Sequence, residues 1–166
     1  MDPKTLLRAN LGEFTSAYTL IGSLELRLRE AIPRVLKDYA DKKGYAEWHN
    51  VLSVKGVGEV ALEQAKDRLL SRAHSGEEIA DFLPLSFWRH LLSNRQYGAL
   101  WLPSLYRVFP EVNNPKDNKV FQNIDKNMDT ALRLRNSVAH FNMQSLPNIE
   151  FSKKKVQWLL DALDNS

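Results

Sequence analysis

The chain has 166 residues, 43% hydrophobic and 10% aromatic, with a formal net charge of +3 and no cysteine. These totals exclude a disordered polar chain, disulfide staples and thiolate metal sites. The mild basicity, with an isoelectric point near 9.1, permits an anionic partner without requiring one.

One domain is expected over residues 1–166, with its core over about 18–164. A chain of this size buries roughly 70% of its extended surface, enough for a core of its own. Met1-Asp2-Pro3-Lys4 lacks the basic-then-apolar build of a secretory leader. No apolar run approaches the ~18 residues that span a bilayer. A cytoplasmic protein without a membrane partner is therefore expected.

In chain order, residues 6–39 read as helix, because Leu20, Leu24, Leu28, Ile32 and Leu36 step by four. Pro33 should kink or divide it, and Gly12 and Gly22 weaken its start, leaving room for a separate short helix before about Ser16. Lys42-Lys43-Gly44 is a stop signal of cations and then glycine. Val54-Lys55-Gly56-Val57-Gly58 has too few glycines, and no preceding strand, for a phosphate cradle, and reads as a turn. Residues 59–73 return to helix, with Val60, Ala61, Ala65 and Leu69 on one side.

Ser75-Gly76-Glu77-Glu78 has the spacing of a capping box before a short helix ending ahead of Pro84. Ser86 is then a cap for Phe87 to about Leu92. Tyr97, Leu100, Trp101 and Leu105 form an aromatic-rich face, which Pro103 is expected to break or bend. Residues 109–117 are a loop, 119–141 a long helix, and 143–151 a loop containing Pro147. Ser152 caps a last helix carrying Val156, Leu159, Leu160 and Leu163. No period-two signal competes, so the class is all-α, an up-and-down bundle of five or more helices.

Within the long helix, Leu132 to Asn142 carries the chemistry. Arg135, Asn136 and His140 interrupt an apolar pattern of Ile124, Met128, Ala131, Leu132, Val138 and Phe141. Asn136 and His140 are four apart and share a face. Arg135 and His140 are five apart, about 140° around a regular helix. Either the helix is distorted there, or a second copy of the chain completes the site.

Arg135-Asn136-Ser137-Val138-Ala139-His140 resembles the Arg-x4-His signature of HEPN domains, in the form with a polar residue directly after the arginine. Leu24-Glu25-Leu26-Arg27-Leu28-Arg29-Glu30-Ala31-Ile32 looks like the first helix of the Abi-like branch of that superfamily. Phe87-Trp88 followed by Tyr97, Leu100-Trp101, Leu105 and Phe109-Pro110 looks like its middle segment, so the resemblance runs from about Tyr18 to Asn142. It implies a HEPN-like helical fold and a metal-free endoribonuclease that leaves 2′,3′-cyclic phosphate ends. It further implies a homodimer with two signatures lining one cleft, in phage defence, abortive infection or toxin–antitoxin regulation. An antitoxin or other regulatory protein is then a plausible partner. The position two after the histidine, often glutamate or tyrosine in relatives, is Asn142, so a tyrosine adenylylation switch has no acceptor here.

The residue types suit that chemistry. Histidine trades protons near neutrality, and arginine grips phosphate oxygens bidentately while staying charged. His140 is thus the expected acid/base, Arg135 the phosphate and transition-state stabiliser, and Asn136 the orienter. Glu25 and Asn142 are possible supports, although Glu25 also has the spacing of a surface ion pair with Arg29. Lys153, Lys154, Lys155 and Arg133 are candidate RNA contacts. The lysines lie against the helix-dipole preference for anions, though a lysine run is also an ordinary solvated helix start.

His49, His74 and His90 have no metal-ligand spacing, and neither metal nor cofactor is expected. Trp88, Trp101, Phe87 and Tyr97 are expected in the core rather than as base-stacking platforms. Two rival functions remain: a non-catalytic RNA- or protein-binding module, which binds without turnover, and a purely structural dimerisation domain, whose assembly alone responds to charge reversal at Arg135.

Overall fold

The structure, a computed structural model, describes residues 2–72 and 76–163, with the side chains of residues 143, 145 and 146 excepted. The Asp2 carboxylate caps helix α1 (Pro3–Ala9), accepting from the backbone N–H of Lys4 and Thr5 at 2.9 and 3.2 Å. The break after α1 falls at Asn10, ahead of Gly12, where the Asn10 amide donates to the Leu6 carbonyl at 2.8 Å. Helix α2 (Leu11–Lys42) follows at once and runs through Pro33 undivided; the proline removes only the N–H that would serve the Arg29 carbonyl. Its buried face includes Phe14, Ala17, Ile21, Leu24, Leu28, Ile32 and Leu36. The core thus starts at Phe14, a turn ahead of Tyr18, which stays 68% exposed. Gly44, at φ 80°, ends the helix as expected.

Helix α3 (Val57–Ser71) buries Gly58, Leu62 and Ala65, so Val60, expected inside, faces solvent. Gly58 is small for a packing reason. A Cβ there would lie 2.9 Å from the Val54 Cβ and 3.2 Å from the His90 Cδ2. His74 and the expected cap Ser75 lie outside the described residues; the 3₁₀ turn Ile79–Phe82 follows. Helix α4 (Leu85–Leu91) begins after Pro84, so Ser86 lies inside it rather than capping it. Around Pro103 the chain makes a π-helical turn at Tyr97–Trp101 and a 3₁₀ turn at Leu105–Val108. The Tyr97 hydroxyl donates to the Lys116 carbonyl (2.8 Å) and the Trp101 indole to the Pro115 carbonyl (2.7 Å), which fixes the loop at 110–117.

Helix α5 (Asn118–Ala139) is capped by Asp117 and followed by the 3₁₀ turn Met143–Asn148. Helix α6 (Ile149–Ala162) starts at Ile149, so Ser152 is interior to it. Three contacts set the directions of the long helices. Phe14 meets Phe141, so α2 and α5 run antiparallel. Glu13 meets Lys153, and Arg27 meets the Leu160 carbonyl, so α2 and α6 run parallel. The three pack pairwise, with α3 and α4 added on one side. The class is all-α, and no strand occurs among the described residues. No described helix is long and apolar enough to cross a membrane.

Candidate functional site at the end of helix α5

Phe121, Ile124, Met128, Ala131, Leu134 and Val138 pin α5 to the core, which leaves the opposite face to solvent. Lys126, Arg133, Asn136 and His140 are all exposed there, at intervals of seven, three and four, and form one stripe. Arg135 lies off that stripe but is exposed too.

The helix does not reach Phe141. It ends at Ala139, with His140 as the C-cap at φ −107° and ψ 5°, and Phe141 in the left-handed region at φ 49°. The Asn142 N–H donates to the Ser137 carbonyl (2.9 Å) and the Phe141 N–H to the Val138 carbonyl (3.2 Å). These two bonds are a Schellman motif with phenylalanine where glycine is usual. His140 is thus the last, half-in residue of the helix, and the chain turns away at Phe141.

Arg135 Nη1 donates to the Asn136 Oδ1 at 3.4 Å, so the amide oxygen faces the guanidinium. The exposed His140 imidazole takes no hydrogen-bond partner among the described residues. The Asn142 Oδ1 accepts from the Gln144 N–H at 3.0 Å and so opens the next turn. Glu25 is taken by Arg29 at 3.2 Å, and Arg29 also donates to the Leu83 carbonyl; this is the ion-pair alternative. Arg133 pairs with Asp129 at 3.0 Å across a well-exposed surface. Lys153 is held between Glu150 (3.1 Å) and Glu13 (3.6 Å), which leaves Lys154 and Lys155 as the outward lysines.

Two features lay beyond the sequence reading. Phe141, Phe14, Tyr18, Leu11 and Val138 line an apolar groove of about 320 Å³ beside His140. A polar cavity of about 450 Å³ lies along α5 between α4 and α6. Arg89 binds Asp125 at 2.6 Å on one wall of that cavity, and Phe151 and Lys155 form the other. Phe151 is 60% exposed, with the Lys155 ammonium 5.1 Å from its ring centroid. The sequence signal for Phe151 was available: it falls off the apolar spacing of α6.

Trp88, Trp101 and Phe87 are fully buried, as expected of core residues. Burial lowers the pKa of His49, with Lys66 adding to the effect, and burial lowers that of His90, reinforced by Arg95 and Arg89. Among the described residues no three His, Asp or Glu side chains gather as a metal site. Comparison with family models, with curated proteins and with solved structures returns no match.

Proposed function

We propose that the protein is a metal-independent endoribonuclease of the HEPN type, working as an effector in phage defence or toxin–antitoxin regulation. The observation that carries this reading is the joint exposure of Arg135, Asn136 and His140 at one helix end. A proton acceptor and a cation, both open to solvent at one helix end, are groups that RNA cleavage through the 2′-hydroxyl needs. The ribose 2′-oxygen attacks the phosphorus and gives its proton to the His140 imidazole. The P–O5′ bond breaks, the 5′-oxygen takes up a proton, and a 2′,3′-cyclic phosphate remains. Arg135 offsets the charge that builds on the phosphoryl oxygens.

Asn136 shares an exposed face with His140 and hydrogen-bonds Arg135, so in this reading it links the two functional groups. A homodimer brings a second pair to the same scissile bond. The test is cleavage of labelled RNA by purified protein in excess EDTA. Wild type should cut, while His140→Ala and Arg135→Ala should keep their helicity and lose cutting. Equal cutting by wild type and His140→Ala, or no cutting by wild type, sinks the proposal.

One observation favours a second reading, a non-catalytic RNA- or protein-binding module: Arg135 and His140 share no hydrogen bond within the chain. That module binds RNA in a salt-dependent way and never turns it over.

A further inference from the structure

We propose that the cavity between α5 and α6 is a nucleobase subsite, with Phe151 as the stacking platform for a base of single-stranded RNA. The inference rests on the ribonuclease reading and names where that substrate would lie.

The cavity holds about 450 Å³. Its Phe151 ring is 60% exposed although it stands in a helix that buries Ile149, Val156, Leu159 and Leu160 and half-buries Trp158. An aromatic left open in a cavity wall offers a π-face that any base can cover. Asn123 and Thr130 bring hydrogen-bonding groups to the same cavity, of the kind that read base edges. The charge balance favours a polyanion. Arg89, Lys126 and Lys155 line the cavity against Asp125 and Asp129, three cations to two carboxylates. Both carboxylates are engaged, Asp125 by Arg89 at 2.6 Å and Asp129 by Arg133 at 3.0 Å.

The cavity is also joined to the signature. Lys126 lines it and begins the exposed stripe that continues through Arg133 and Asn136 to His140. The fourteen steps from Lys126 to His140 span about 21 Å, room for several nucleotides. A strand seated by its base on Phe151 can therefore lay its backbone along cations toward His140. An RNA duplex keeps its bases stacked inside and cannot use the platform, which makes single-stranded RNA the ligand.

The experiment measures binding of a fluorescent single-stranded oligonucleotide lacking 2′-hydroxyls, which cannot be cut by this chemistry, by anisotropy in EDTA. Phe151→Ala should weaken binding by about tenfold, the scale of one lost base–aromatic stack. Phe151→Trp should restore it, and Leu26→Ala, an equally exposed apolar side chain on α2, should change nothing. Lys155→Ala should flatten the salt dependence, whereas the Phe151→Ala loss should be the same at low and high salt. Wild-type affinity in Phe151→Ala, an equal loss in Leu26→Ala, or no binding by wild type overturns the platform. RNA cutting that needs His140 alongside unchanged binding in Phe151→Ala sinks this subsite alone. Binding that needs Phe151, with no RNA cutting by wild type, sinks the ribonuclease reading and leaves the subsite standing.

Discussion

The Phe141 ring stands edge-on to the Phe14 ring, centroids 5.7 Å apart and planes at 79°, and so ties the end of α5 to the start of α2. Phe141 sits at φ 49°, a conformation that costs a non-glycine residue roughly 1–2 kcal/mol. An aromatic pair returns about 0.5–1.5 kcal/mol beyond its buried area, so the two effects nearly offset. Phe141→Gly should accordingly fold within about 1 kcal/mol of wild type, since it loses the ring and the strain together. Phe141→Ala keeps the strain and loses the ring, and should be less stable than Phe141→Gly by about 1 kcal/mol. Urea denaturation of the two variants checks the order. Because His140 is the adjacent cap, both should also cut RNA more slowly than wild type.

Arg89 is only 18% exposed and its closest acid, Asp125, 15%, so the pair is largely withdrawn from water. Removing the acid strands a guanidinium that Asp129, 3.9 Å away and more exposed, serves poorly. Asp125→Ala should cost about 2–3 kcal/mol, below the 3–5 of a fully buried pair because some solvent reaches it. Arg89→Met strands the Asp125 carboxylate in the same way and should cost a similar amount, whereas the double variant Arg89→Met/Asp125→Ala leaves no withdrawn charge and should cost less than the sum of the two. Strictly additive losses in denaturation would contradict this account of the pair.

His90 offers a pH handle. Its Nε2 is buried without a hydrogen-bond partner, and desolvation together with Arg95 and Arg89 holds its pKa below the ordinary 6.5. His49 shifts the same way. A group whose folded pKa is depressed takes up protons more readily when unfolded, so its stabilising effect is complete above pH 6.5 and lost as pH falls below it. Thermal midpoints should decline from pH 7 toward pH 5, and His90→Gln should flatten that decline. A midpoint that rises on acidification would show that other groups dominate.

The sequence pattern carried the helices because each buries a continuous apolar face. Leu24, Leu28, Ile32 and Leu36 of α2 and Ile124, Met128, Ala131 and Val138 of α5 are buried where the periodicity placed them, while Leu20 and Leu132 are half-buried. Ends were harder to read. Phe141 continues the apolar spacing of α5, and nothing in a phenylalanine announces the left-handed cap that glycine would. Ser86 and Ser152 have the chemistry of caps, yet packing of Leu85 and Ile149 draws both helices back past them. Arg135, Asn136 and His140 were legible through their motif, as was the Glu25–Arg29 pair through its spacing. The cavity at Phe151 was not, since it depends on how α4, α5 and α6 sit together in space.

The three consecutive lysines should separate in function. Lys153 is 19% exposed, hydrogen-bonded to Glu150 and close to Glu13, and the Glu150 bond above all raises its pKa. Its charge is already spent on these two carboxylates, and Lys153→Ala should leave RNA affinity unchanged while loosening α6 from α2. Lys154 borders a different groove, with Ser16, Thr19 and Ser23 of α2, away from Phe151. If the RNA follows the exposed stripe of α5, Lys154→Ala should bind as wild type. Lys155 shares the cavity with Phe151, and Lys155→Ala should lower the slope of log affinity against log salt by about 0.7–1, one phosphate contact. Titrations of one labelled strand at several salt concentrations measure all three. A slope lowered by Lys154→Ala and not by Lys155→Ala would put the strand on the α2 side of α6 and refute the path along α5.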